Sequence, residues 1–140
     1  ELGRGIPSIS FNLRKGGSLL INRNSGNTAI DQITRYGHHI NKKNHAIVIF
    51  PEGTRSNSAS FSPFKMGGLK ALIDAMPDAV IVPFVVHNNY QIFENGNFPL
   101  KLGNQLKYSI LDPFSPEGLD VDSLKDKLED LYQNELNNLS

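Results

Sequence analysis

The chain has 140 residues, 39% of them hydrophobic and 20% charged, a balance that suits one α/β core. It contains no cysteine, which excludes disulfides and thiolate metal sites, and no apolar run approaches the length of about 18 residues that crosses a bilayer. The formal net charge is zero, yet residues 1–70 hold ten Lys or Arg against three Asp or Glu, and residues 71–140 hold four against eleven. The first half is therefore basic and suited to phosphorylated ligands or anionic lipid headgroups, whereas no Lys/Arg cluster with interleaved aromatics supports nucleic acid as a partner.

In chain order, Pro7 suits the first turn of a helix running to about Arg14, closed by Gly16 and Gly17, and residues 18–22 read as a short strand. After the polar turn at 24–27, Thr28 with Asp31 resembles a capping box, and Ile30, Ile33, Gly37 and Ile40 fall on one helical face. Residues 45–50 lack polar alternation after Ala46, the pattern of a strand buried on both faces. A helix is predicted over 67–76, a second buried strand over 79–86 with Pro83 marking an edge or bulge, and a further strand over 107–111. Val121, Leu124, Leu128, Leu131 and Leu139 mark an amphipathic helix capped by Asp120 or Asp122. The alternation of strands and helices predicts one α/β domain with a mostly parallel buried sheet flanked by helices.

The chemistry gathers where the 45–50 run ends, in Phe50-Pro51-Glu52-Gly53-Thr54-Arg55-Ser56. Pro51 cannot donate to a sheet ladder and ends the strand, while Gly53 allows a tight turn and close approach of a ligand to its backbone. The Arg55 guanidinium offers a planar fork of donors for phosphate or carboxylate, and Gly53 and Thr54 add backbone N–H groups, so the loop reads as an anion site. The bland alternative is that Glu52 and Arg55 pair across a surface turn and contribute little.

This heptad resembles the third sequence block of the glycerolipid acyltransferase family, whose members include the 1-acylglycerol-3-phosphate acyltransferases. Glu1-Leu2, Ile6-Pro7, Gly16-Gly17 and Leu20-Ile21-Asn22-Arg23 resemble the second block, Phe64-Lys65-Met66-Gly67 the F-K-x-G that follows the third, and residues 81–85 the fourth. The resemblance covers roughly residues 1–90. The family's first block, H-x-x-x-x-D, has no counterpart: five positions after His38, His39, His45 and His87 stand Lys43, Asn44, Phe50 and Ile92. The expectation is that residues 1–140 are the C-terminal portion of a phospholipid/glycerol acyltransferase domain, truncated at its N-terminus and inactive alone, with the catalytic His and Asp upstream and no catalytic residue in this chain.

The resemblance implies acyl transfer from acyl-CoA or an acyl carrier protein thioester, the co-substrate, to the hydroxyl of 1-acylglycerol 3-phosphate, making phosphatidate in phospholipid biosynthesis. It implies no bound cofactor and no metal. Arg23, Glu52, Gly53, Thr54, Arg55 and Lys65 are the expected substrate-binding residues, with Arg23 and Arg55 clamping the acceptor's phosphate. Arg23 and Lys65 can also be read as solvated charges, and Glu52, a carboxylate in a phosphate site, either orients Arg55 or binds a glycerol hydroxyl. Adjacent residues share no helix face, so His38 and His39 do not read as paired ligands; His45 and His87 read as hydrogen-bonded packing residues. Glycerol 3-phosphate or another lysolipid is the alternative acceptor, and a non-catalytic lipid-headgroup or membrane-binding module the alternative class. A membrane-associated protein on the cytoplasmic face is expected.

Overall fold

The computed structural model describes residues 11, 15–19, 21, 26–54, 60–92 and 101–138. Its elements are helices α1 (Gly26–Lys42), α2 (Met66–Ala75), α3 (Asn89–Ile92) and α4 (Val121–Asn138), and strands β1 (Phe84–His87) and β2 (Lys107–Ile110). The expected helix over 7–14 and strand over 18–22 lie largely outside the described residues. The chain divides into two compact units, Glu1–Ile47 with Ala71–Met76 and Val48–Lys70 with Pro77–Ser140.

In the first unit the expected stripe on α1 is found in part: Gly37 and Ile40 are buried and Ile33 is half-buried, but Ile30 is exposed and Ala29 is buried beside it, and Ala71, Leu72, Ala75 and Met76 are buried as well. A Cβ at Gly37 would stand 2.7 Å from the Cβ of Ala75, so glycine is what lets the two segments close. The helix begins two residues before Thr28, which therefore lies inside it rather than capping it. Its far end is a Schellman closure: Asn44, at φ 51°, donates to Asn41 O at 3.0 Å, and His45 N–H reaches Ile40 O at 3.1 Å. His45 thus closes a helix instead of opening a strand.

In the second unit the expected parallel sheet is not found. Among the described residues the sheet is two-stranded and antiparallel, with Phe84 opposite Ile110 and His87 opposite Lys107. Residues 46–50 join no strand; Val48 and Phe50 are 79% and 74% exposed while Ile47 and Ile49 are half-buried. Val80, Val82, Phe84, Tyr108 and Ile110 are also exposed, and the Phe84 and Tyr108 rings stack at 5.7 Å. An unbroken apolar run reads as burial on both faces. Here one face of these segments is open, so the pattern mimics a parallel-sheet interior without being one.

Beyond β1 and β2 the two segments meet again at Ile81 and Phe114, which exchange backbone bonds of 2.9 and 3.0 Å. From this pair to Phe84–Ile110 one segment advances three residues and the other four, so Asp112 and Pro113 together oppose Val82 in a bulge. Pro83, which lacks an N–H, accepts from Leu111 N–H at 3.0 Å, in keeping with its reading as an edge or bulge residue.

Helix α4 packs on β1 and buries Leu124 and Leu128. Asp120 is its cap: one carboxylate oxygen accepts from Ser123 N–H at 2.8 Å and the other from the Ser123 hydroxyl at 3.1 Å. These bonds hold the Asp120 carboxyl below its ordinary pKa. A lowered folded value means the cap is at full strength above the ordinary Asp range and is lost as pH falls through the folded value.

Candidate functional site

The Phe50–Gly53 segment forms a tight turn in which Gly53 N–H donates to Phe50 O at 3.1 Å. Pro51 occupies the position where its fixed φ suits such a turn, and Gly53 has a φ of +69°, where any side chain would be strained. Glu52 and Gly53 are half-buried and Thr54 is exposed.

Residues 62–65 fold back over this turn. Lys65 N–H donates to Pro51 O at 2.8 Å, and Ser62 N–H to Glu52 Oε2 at 2.9 Å. A Cβ on Gly53 would lie 3.2 Å from Lys65 Cδ and 3.3 Å from its Nζ, so the Lys65 ammonium lies close beside the turn. Of the residues singled out from sequence, the structure brings together Glu52, Gly53 and Lys65, with Thr54 next in the chain. Arg23 and Arg55 lie outside the described residues.

One carboxylate oxygen of Glu52 is therefore engaged by a backbone donor within the loop, a role neither sequence reading supplied. A backbone N–H on a carboxylate is a charge-assisted bond, and it fixes the orientation of the acid beside the expected phosphate position.

Helix α4 completes the support. Phe64 N–H donates to Glu129 Oε1 at 2.7 Å across 65 residues of sequence. The ring of Tyr132 packs edge-on against Phe61 and Phe64 at 5.1 and 5.7 Å between centroids. Burial, and secondarily the charge of Glu52, raise the Tyr132 hydroxyl above its ordinary pKa. Lys125 stands 3.9 Å from the same Glu129 oxygen, much farther than the Phe64 amide. Sequence reading passed over Ser62, Glu129 and Tyr132. Tyr132 follows Leu128 by four and could have been placed on the buried stripe, but nothing local marks Glu129.

The histidines hold no ligand cluster: no three His, Asp or Glu among the described residues group as a metal site. His38 and His39 are exposed on α1. His87 ends β1 and is buried at 6% exposure, as expected of a packing residue, but its Nε2 has no hydrogen-bond partner. In the first unit, Lys15, His39, Lys43 and His45 line a cavity of about 330 Å³ together with Tyr36, whose hydroxyl donates to Gly17 O. No described helix is long and apolar enough to cross a membrane.

The acyltransferase family model matches residues 1–87, which include the whole turn and the segment that folds over it. The chain belongs to the acyltransferase family. This acyltransferase chain is 29% identical over 124 residues to the 1-acyl-sn-glycerol-3-phosphate acyltransferase of Haemophilus influenzae, covering 86% of this chain and 48% of that protein. It is 30% identical over 114 residues to the human 1-acyl-sn-glycerol-3-phosphate acyltransferase beta, covering 79% and 40% respectively. It thus spans less than half the length of these relatives. Its fold matches the crystal structure of the 1-acyl-sn-glycerophosphate acyltransferase of Thermotoga maritima with a TM-score of 0.75 at 20% identity, over 97% of this chain and 53% of that one.

Proposed function

We propose that the whole protein transfers a fatty acyl group from a thioester, acyl-CoA or acyl carrier protein, to the free hydroxyl of 1-acylglycerol 3-phosphate, giving phosphatidate. The observation that carries this reading is the Pro51–Thr54 turn, with the Lys65 ammonium beside its glycine, inside a segment that the acyltransferase family model matches. Relatives named 1-acyl-sn-glycerol-3-phosphate acyltransferases support the choice of acceptor.

In this reading Arg23, Arg55 and Lys65 neutralise the acceptor's phosphate, while Gly53 and Thr54 present backbone to it. Glu52, fixed by Ser62 N–H, orients the cations or receives a glycerol hydroxyl. The acceptor hydroxyl attacks the thioester carbonyl, the C–S bond breaks, and the hydroxyl's proton passes through a general base to the departing thiolate. The binding residues contribute by holding the phosphate so that the hydroxyl meets base and thioester in attacking geometry. A place on the cytoplasmic membrane face fits Lys15 and Lys43 at the edge of the cavity, since each Lys near an anionic surface adds about 1 kcal/mol.

Thiol release by the whole protein, given an acyl-CoA and in parallel 1-acylglycerol 3-phosphate, glycerol 3-phosphate and a phosphate-free lysolipid, tests the reading. Release that requires 1-acylglycerol 3-phosphate is expected, and Arg55→Ala should raise its KM by about tenfold or more. Equal release with the phosphate-free lysolipid would overturn phosphate as the recognised group. No release with any acceptor, using either donor, would favour a non-catalytic headgroup-binding module.

A further inference from the structure

The segment that folds over the acceptor turn is itself held by residues from outside the stretch that the family model matches. Glu52 and Pro51 are gripped by the N–H groups of Ser62 and Lys65, and the same short segment is anchored from the other side by α4, where Glu129 takes the Phe64 N–H. Phe64 is buried, and Tyr132 packs against both it and Phe61. Residues 61–65 therefore lie between the turn and α4, each of their ends committed to one or the other.

We propose that Glu129 and Tyr132 of α4 are positioning residues for acceptor binding, setting the place of Glu52, Gly53 and Lys65 through the 61–65 segment they anchor. This rests on the acceptor-site reading of the turn. A 2.7 Å bond from a backbone N–H to a carboxylate is a directional, charge-assisted constraint, and the aromatic contacts fix the ring about which the segment pivots. The Lys65 ammonium sits one residue beyond the Phe64 amide that Glu129 holds. A shift of Phe64 moves both the Lys65 charge and the N–H on Pro51 O, and misplacing a binding group by about 1 Å can cost up to 10²-fold in rate. Lys125, at 3.9 Å, pairs with the same oxygen by charge but is beyond hydrogen-bond reach, so the directional constraint on this carboxylate is the Phe64 N–H.

The test compares Glu129→Leu, Glu129→Gln and Lys125→Met in the whole protein. Two readings are taken: hydrogen exchange of the peptide over residues 60–66, with peptides over β1 and β2 as the fold control, and steady-state kinetics with 1-acylglycerol 3-phosphate. For Glu129→Leu, exchange at 60–66 should rise severalfold and the acceptor KM by about tenfold, with kcat and the donor KM within about twofold. Glu129→Gln, whose amide oxygen still accepts from Phe64, should restore both values, and Lys125→Met should leave them alone. Tyr132→Leu should move the same two readings by a smaller factor. If Glu129→Leu loses the β1–β2 protection, Glu129→Ser, too short to reach the Phe64 amide, takes its place. Unchanged exchange and unchanged acceptor KM with the ladder intact would overturn the proposal, as would Glu129→Gln behaving like Glu129→Leu. The acceptor reading fails separately: if Arg55→Ala leaves the acceptor KM unchanged, that reading falls, while the exchange response at 60–66 still decides whether α4 holds the turn.

Discussion

The contact of α1 with residues 71–76 and the hold of α4 on the Pro51–Thr54 turn, made through residues 61–65, solve different problems. The first is made of apolar side chains brought together at one glycine, where a single added carbon has no room. The second is made of backbone N–H groups on two carboxylates, Glu52 and Glu129, with rings packed alongside. Close packing responds to volume, whereas a directional bond responds to the loss of one lone pair. A contact made by close packing and a contact made by directional bonds should therefore fail under different substitutions.

The largest expected effect is on α4 itself. Leu128 is buried at 7% exposure, and Leu128→Ala should cost about 2–5 kcal/mol in denaturant unfolding. Hydrogen exchange at 60–66 should rise more than exchange in α1; an equal rise in both would show that the two regions do not fail separately. Next is Gly37→Ala. Alanine improves helix propensity by about 1 kcal/mol, but overpacking costs about 1–3 kcal/mol. The clash partner is the Cβ of Ala75, which no rotamer change can move, so the net effect should be destabilising, on the order of 1 kcal/mol, with exchange at 60–66 unaffected. A stabilised Gly37→Ala would sink the close-approach argument.

The smallest effect sharpens the polar side. Tyr132 has a raised folded pKa, so its contribution to stability is fully present below the ordinary tyrosine value and is lost as pH rises through the folded one. Glu52→Gln removes the second cause and leaves the first, burial. The Tyr132 midpoint in an alkaline titration should fall but stay above about 10. A midpoint that does not move would separate Glu52 from the α4 cluster.

Much of the helical structure was legible from sequence because its signals are local. The stripe of Ile30, Ile33, Gly37 and Ile40 predicts α1, and Asp120 or Asp122 at the head of the leucine stripe predicts α4 and a cap, which the structure gives to Asp120. The strand at 107–111 was also correctly placed. Sheet direction was not legible, since an open apolar face and a doubly buried strand share one pattern, and the partner of β1 lies beyond an intervening helix. At the site, Pro51 and Gly53 announce the turn by their backbone chemistry, and family resemblance pointed to Lys65. The bond from Phe64 to Glu129 joins residues 65 apart and involves a backbone donor, which no side-chain pattern encodes.

The spare residue at Asp112 and Pro113 bears on how the hairpin avoids misfolding. Phe84 and Ile110 are exposed while Val85 is fully buried, so β1 is apolar on both faces from Phe84 to Val86 and does not mark its own alignment. On β2 Tyr108 and Ile110 alternate with Lys107 and Ser109, so face polarity opposes a slip by one residue from that strand alone. The reciprocal Ile81–Phe114 bonds add a second check, since they form only when the longer segment has taken up its extra residue at the bulge, and Lys127 over the Phe114 ring at 4.0 Å ties that checkpoint to α4. A slipped hairpin can close its middle and still leave both of those bonds unmade, and it stays free to come apart and try again.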